Sequence, residues 1–502
     1  MENAALERFR KYTDEATFKK IVQYDTVAEM WEHTAAENAD VIAIEDAGLQ
    51  YTYRKLDDDV AHFRTCISGR GARVGLLVAN SYDFVKAFLA VVTSGCTAVI
   101  LPPQLPAEAV FGCAMKFGLS QLIYAAPTKE KTAILAQNRP DVVLTDAAEM
   151  PKGSAGAVKA DGASPCVIMF TGGTTGKSKG ALLSNAAVMQ GVVNGCYGYR
   201  DVFRQRYLVV LPFFHVFGLI RNLLTGLYTG STVFICRNNK DMFGDIARFR
   251  PTVLVLVPAL ANMGLMLSRQ FGKNMMGDDL KTIICGAAPV PPYLITEYHK
   301  IGVSLLPGYG LTESANLVSG NPEALSHPDS VGYFFPNQEY RIENGELWLK
   351  GRNMMDGYVG EDNAAAYTDG WFKTGDLVRV DQDGFLYITG RIKEIIILGS
   401  GENISPAEVE VKFNALPFVQ DSQVFESTDE AGAPILALEI VPRMSEIPAD
   451  EKDRADAYML DALNKVNMTL PPFERVSRIK IRESDFERSP SMKIVRYKHD
   501  KN

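Results

Sequence analysis

Residues 166–180 read CVIMFTGGTTGKSKG. The first five form a short apolar run rich in β-formers, which predicts a buried strand. A loop then carries Gly172, Gly173 and Gly176 within six positions. Glycines there let the backbone turn tightly and bring N–H groups close to a ligand. Thr171, Thr174, Thr175 and Ser178 add hydroxyl donors, and Lys177 and Lys179 add positive charge. Together these suit a polyphosphate. A solvated Gly/Thr loop is the bland alternative. Gly176-Lys177-Ser178 also imitates the end of a P-loop, but that pattern needs glycine five positions earlier, where Thr171 stands. A P-loop phosphotransferase therefore stays as an alternative from a different class. A helical pattern is expected after the loop.

Working outward, residues 73–78, 98–101, 207–210, 232–236, 253–257 and 282–285 repeat the strand signal, alternating with helical patterns such as 83–93. That alternation predicts an α/β fold with crossover-connected, mostly parallel sheets. After about residue 330, short strands between Gly and Asp turns (345–350, 372–378, 384–389) suggest an antiparallel, barrel-like piece. From Gly390 a small α+β unit begins. Ser405-Pro406 with Glu408 opens a helix there, and 419–425, 436–441, 455–470 and 476–481 read as strand, strand, helix, strand. The expected organisation is a large domain at 1–390 and a small, mobile domain at 391–502.

Composition fits this class. With 502 residues, 47% hydrophobic and 22% charged, the chain can bury large cores. A formal net charge of −8 makes it a poor general ligand for nucleic acid. Its seven cysteines are scattered without CxxC spacing, which reads as reduced thiols in a cytoplasmic protein. The charged N-terminal stretch does not read as a secretory signal. The most apolar segment, 252–267, is short and holds Pro258 and Asn262, so a strand and helix fit it better than a membrane span.

Further along come LPFFHVFG (211–218), GAAP (286–289), GYGLTE (308–313), GWFKTGD (370–376), GRIKEIIILGSGENISPAEVE (390–410) and SPSMKIVR (489–496). With the glycine loop, and with YTYRKL (51–56) and 72–95 before it, this series resembles the adenylate-forming superfamily over nearly the whole chain. The superfamily includes acyl-CoA synthetases, aryl-CoA ligases, luciferases and peptide-synthetase adenylation domains. The resemblance implies an AMP-forming acyl-CoA synthetase. A carboxylate attacks the α-phosphate of ATP, and coenzyme A then displaces AMP. Bringing two anions together calls for cations and fixed dipoles.

By that resemblance Lys493 is the catalytic lysine of adenylation, Glu313 the magnesium ligand and Thr312 an α-phosphate contact. Tyr309 stacks on the adenine with Gly310 also at the nucleotide, Asp376 accepts from the ribose hydroxyls, and Arg391 contacts the ribose or phosphate. The loop residues Thr171, Gly172, Gly173, Thr174, Thr175, Gly176 and Lys179 cradle phosphates, with Gly286 and Ala287 nearby. His215 borders the acyl site. Lys393 is the hinge about which the small domain turns, bringing Gly399, Gly401, Glu402 and Asn403 over the site for the thiol half-reaction. His215 stands where amino-acid-activating relatives carry Asp, which argues against an amino-acid substrate.

Gly286, Ala287 and Ala288 leave room for a chain or a flat ring. A medium- or long-chain fatty acid is the first expectation, an aryl acid the second, and a carrier-protein thiol an alternative acceptor. Arg221 could pair a second carboxylate, but a helix-surface arginine is the expected reading. Membrane contact is expected to be peripheral at most. Three positions depart from the superfamily pattern: Lys177-Ser178, Asn185, and Met492 where glycine is usual.

Overall fold

The computed structural model describes residues 2–171, 179–397, 403–429, 434–488 and 494–496. Two large sheets dominate. One has seven strands, in the order Gly357–Tyr358, Gly180–Ser184, Pro165–Phe170, Thr97–Ile100, Arg73–Leu77, Gln121–Tyr124 and Val143–Asp146. Its five strands from Pro165–Phe170 onward are parallel. The other has nine strands, with a parallel run through Ser304–Leu311, Thr282–Cys285, Val253–Leu256, Arg206–Val209, Thr232–Ile235 and Ile42–Asp46. The α/β expectation holds, and its reason is visible in the strands. Val253–Leu256 and Thr282–Cys285 are buried at every residue, as strands covered on both faces must be.

Two helices lie between these sheets. Tyr82–Thr93 touches strands of both, and so does Asn185–Asn194. Both helices are buried almost all round, which explains why neither carries a continuous polar stripe. The apolar segment 252–267 resolves into the strand Val253–Leu256 and the helix Pro258–Phe271, with Pro258 at its first turn. Among the described residues no helix is long and apolar enough to cross a membrane.

The segment after 330 forms an antiparallel sheet of five strands. Trp371–Val380 runs through it, paired with Glu346–Lys350, Tyr367–Thr368 and Leu386–Arg391. Beyond it, the strands Val419–Thr428, Pro434–Pro442 and Arg478–Ile481 pack with the helices Pro406–Asn414 and Ala455–Thr469 around a core of their own, centred on Phe413, Leu438, Ile440, Met459 and Leu463. This is the small α+β unit.

The local reading fails after the glycine-rich loop. The glycine-rich loop is not followed directly by a helix. Gly180–Ser184 is a strand, antiparallel to Pro165–Phe170, with Phe170 opposite Gly180. The helix Asn185–Asn194 begins only after it, capped by Ser184, whose hydroxyl accepts from the Ala187 N–H at 3.2 Å. A P-loop runs from strand to loop to helix. Here the two strands that flank the loop pair with each other, so the P-loop alternative lacks its topology. Asn185, one of the departures, is buried. Its side chain accepts from the Val27 N–H (3.2 Å) and donates to the Ser164 carbonyl (3.1 Å), stapling three segments together.

Candidate active site

The described ends of the glycine loop close on each other. The Thr171 N–H donates to the Lys179 carbonyl at 2.9 Å. Gly172, Gly173, Thr174, Thr175, Gly176, Lys177 and Ser178 lie outside the described residues. The Lys179 ammonium sits 4.6 Å from the centre of the Tyr358 ring. A cation over an aromatic face is attracted to the negative face of the ring.

The same Tyr358 reaches the acidic motif. Its hydroxyl donates to Glu313 Oε1 at 2.6 Å. Burial, and then the Glu313 carboxylate, push the Tyr358 phenol well above its ordinary range, so it stays a donor. Glu313 lies on the short 3-10 turn Thr312–Ser314. The backbone of Ala315 follows in the left-handed region, φ 54°. The turn is held by what packs on it. A Cβ on Gly191 would meet the Ala315 carbonyl oxygen at 2.5 Å, so only glycine lets the helix Asn185–Asn194 approach this closely. Asn316 and Asn194 then exchange side-chain hydrogen bonds with the facing backbones of Gly191 (3.2 Å) and Leu317 (3.1 Å).

A second polar cluster forms on the antiparallel sheet. Asp376 is 1% exposed, and Arg391 stands opposite it in register. Arg391 Nε lies 2.6 Å from Asp376 Oδ1, and the Tyr309 hydroxyl donates to Asp376 Oδ2. Burial, then Asp376, raise the Tyr309 phenol strongly. The turn before Asp376 is fixed by Glu346, whose carboxylate accepts from the Gly375 N–H (2.9 Å), and by the Thr374 hydroxyl, which donates to the Leu347 carbonyl (2.7 Å). Tyr309, Glu313 and Asp376, some 67 residues apart at the extremes, are therefore joined through Tyr309 and the strand Ser304–Leu311.

Residues 211–224 form the segment expected to border the acyl group. Asn80 clamps this segment, its side chain accepting from the Phe213 N–H (2.8 Å) and donating to the Leu211 carbonyl (2.9 Å). The His215 ring tilts against Phe214 with centroids 4.5 Å apart. A π-helix, Phe217–Leu224, follows. Such helices are rare and concentrate at functional sites. Phe217 closes on the glycine wall: a Cβ on Gly286 would lie 3.4 Å from the Phe217 ring and 2.9 Å from the Gly308 carbonyl oxygen. Ala287 next to it is held at φ 66°, a conformation that costs roughly 1–3 kcal/mol and gathers at sites. Arg221 corrects the sequence expectation. It is 1% exposed, not on a helix surface. The helix that carries it is buried along its full length.

In the small unit, Lys393 is exposed on the 3-10 turn Ile392–Glu394. The backbone of Asn403 pairs with Ile397. Gly399, Gly401, Glu402, Met492 and Lys493 lie outside the described residues. The tail three positions after Lys493 is anchored, since Arg496 pairs with the buried Glu410 (2.6 Å) and with Glu394 (3.3 Å).

With this geometry in hand, known proteins give a direct comparison. Residues 31–359 match the AMP-binding enzyme family. The chain belongs to that family. It is 35% identical to the indoleacetate–CoA ligase of Aromatoleum aromaticum over 55% of this chain and 57% of that one. It is 28% identical to the peroxisomal OPC-8:0-CoA ligase 1 of Arabidopsis thaliana over 91% and 89% of the two chains. The fold matches a crystal structure of the anthranilate CoA ligase AuaEII in complex with anthranoyl-AMP. That match has a TM-score of 0.83 at 19% identity and covers 94% of this chain and 96% of that one. The chain is thus an AMP-forming acid–thiol ligase by family, with the large and small domains that this fold carries.

Two residues of the site went unremarked in the sequence. Tyr358 sits in a plain MMDGYVG stretch, and Asn80 in VANSYDF. Neither carries a local signal, because each acts on a segment more than 40 residues away.

Proposed function

We propose that this ligase activates a compact aryl or arylalkyl carboxylic acid and passes it to coenzyme A. The observation that carries the reading is the joining of Glu313–Tyr358 and Asp376–Arg391–Tyr309 through the strand Ser304–Leu311, whose Gly308 packs with Gly286 and the Phe217 ring into a flat wall. At Gly286 bare backbone and the Phe217 ring pack together into a flat wall, a surface suited to a flat group. The arginine buried one turn further along the same helix is a poor neighbour for a long alkyl chain. A medium- or long-chain fatty acid is the second reading, favoured by the small side chains at 286–288.

In the first half-reaction a carboxylate oxygen of the acid bonds to the α-phosphorus of ATP, and the bond to pyrophosphate breaks. In the second, the thiol sulfur bonds to the acyl carbon, AMP leaves, and the thiol proton passes to solvent. Asp376 with Arg391 would hold the ribose, since a carboxylate accepts two hydroxyl hydrogen bonds readily. Tyr309 would lie against the adenine, Thr312 would contact the α-phosphate, and Lys179 with the glycine loop would hold the outer phosphates. Lys493 would meet the charge that develops between acid and phosphate.

Among the described residues no group of three His, Cys, Asp or Glu could cage a metal. The fit for magnesium is therefore one carboxylate, Glu313, beside the phosphates of ATP, which is a normal setting for that ion. When bound it would neutralise phosphate charge. Rotation of the small domain about Lys393 would exchange Lys493 for the 399–403 segment between the halves.

The test is pyrophosphate release with ATP and magnesium over a panel of acids, with and without coenzyme A. AMP and pyrophosphate that need a compact aryl acid, with turnover raised by coenzyme A, support the reading. A preference for long alkyl acids replaces the substrate class. Bound acyl-adenylate without response to coenzyme A points to a carrier-protein thiol.

A further inference from the structure

Arg221 is the odd charge of this molecule. It is 1% exposed, and among the described residues its Nε and Nη1 atoms have no hydrogen-bond partner. Its Nη2 donates one long bond, 3.4 Å, to the Tyr199 hydroxyl. That hydroxyl is itself bonded to the Tyr207 hydroxyl at 2.8 Å. The guanidinium lies 5.8 Å from the centre of the Tyr199 ring. Two tyrosine hydroxyls, not a carboxylate, are thus what it meets among the described residues. Every other fully buried side chain among the twelve largest is aromatic except Lys86, and Lys86 has Asp83 at 3.2 Å. A guanidinium has five donors and cannot shed its charge, so burying it without an anion is costly.

The arginine also faces space. It lines a cavity that runs from Ile284, Leu306 and Pro307 to Tyr197, Asn321 and Phe335. Counted out through its open mouth the space is about 300 Å³, and little of it is wide enough for a water. That takes a water or one small charged group, not a chain. Its position ties it to the glycine wall. Ile284 is two residues before Gly286, and Pro307 immediately precedes Gly308. Phe217, whose ring packs on that wall, is four residues before Arg221 on one helix. The cavity therefore abuts the chain positions that build the glycine wall.

We infer that Arg221 binds a second carboxylate on the acid substrate, so that this ligase selects a dicarboxylic acid whose distal carboxylate enters the cavity. The inference rests on the ligase reading and narrows its substrate class. A fork of donors beside a pocket for one small group matches a carboxylate in shape and charge. Free enzyme would keep water there. The dianionic acid would displace it, and an acid lacking the second carboxylate would leave the buried donors unmet.

The experiment compares matched acids, a ring or chain with and without the distal carboxylate, in wild type, R221M and R221K. Pyrophosphate release gives kcat/KM for each, and thermal unfolding checks the fold. Wild type is expected to prefer the dicarboxylate on the order of 100-fold, the scale of a buried charge pair left half-made. R221M, which keeps the apolar stem, is expected to lose that preference. R221K is expected to retain part of it. Equal kcat/KM for both acids in wild type overturns the inference, whether or not R221M folds. So does a loss in R221M by the same factor for both acids, which marks a structural arginine. Pyrophosphate from monocarboxylates without discrimination defeats this inference alone. No pyrophosphate from any acid defeats the ligase reading with it.

Discussion

Replacing Tyr358 with Phe deletes one oxygen and leaves the ring. The ring keeps its place under the Lys179 ammonium, 4.6 Å from its centre. What is lost is the 2.6 Å hydrogen bond to Glu313 Oε1. Hydrogen bonds to a charged group contribute about 1.5–3 kcal/mol net. At 1.36 kcal/mol per decade, full expression of that loss in the transition state is roughly a 10- to 100-fold fall in adenylation. If Glu313 holds magnesium, a loosened carboxylate also raises the magnesium concentration needed for half-maximal rate. The assay is pyrophosphate release at saturating ATP and acid, with magnesium titrated, beside thioester formation from preformed acyl-adenylate. The expected result is a lower kcat and a shifted magnesium curve in the first assay, with the second largely spared. An unchanged magnesium curve together with equal losses in both halves would refute the reasoning, because it would show Tyr358 acting only on stability.

Other outcomes follow from the same geometry. Lys493→Ala is expected to cripple adenylation yet largely spare thioester formation from preformed acyl-adenylate; equal loss in both, measured by pyrophosphate and thioester assays, removes the assigned role. Gly218→Ala places a Cβ 2.2 Å from the Pro212 carbonyl oxygen, so the LPFFH segment must move. Denaturant unfolding should show a loss of about 1–3 kcal/mol, and an unchanged midpoint would mean the segment yields freely. Glu439 gives a pH signature. Burial works to raise its carboxyl, but hydrogen bonds from Arg482 (2.5 Å) and Lys480 (3.3 Å) carry it below the usual glutamate range. A carboxyl lowered on folding adds stability above its unfolded pKa and loses it as pH falls through the folded one. Glu439→Gln should flatten the acid limb of a stability profile, read by denaturant midpoints across acidic pH; an identical slope in the variant would exclude this pair as the source.

The sequence by itself determined much of this protein, and the reason is locality. A strand buried on both faces must be apolar throughout, so Val253–Leu256 and Thr282–Cys285 announce themselves in four residues. The run of motifs from 171 to 496 determined the superfamily, because each motif keeps its spacing from the next. Asp376 and Arg391 were legible as a pair for the same reason, and the sheet sets them opposite each other. Tertiary structure decided what no window of residues contains. A hairpin and a strand–loop–helix read alike until Gly180–Ser184 finds Pro165–Phe170 as its partner. Tyr358 gains meaning only when an edge strand brings it to Glu313, 45 residues away in sequence. Arg221 looked like a surface charge, because charged residues on helices almost always are. The helix that bears it is enclosed on every side, and that enclosure turns an ordinary arginine into a cation that faces a cavity and, among the described residues, leaves Nε and Nη1 without a hydrogen-bond partner. Local chemistry sets which elements form. Burial, which belongs to the whole chain, sets which of their charges are left wanting a partner.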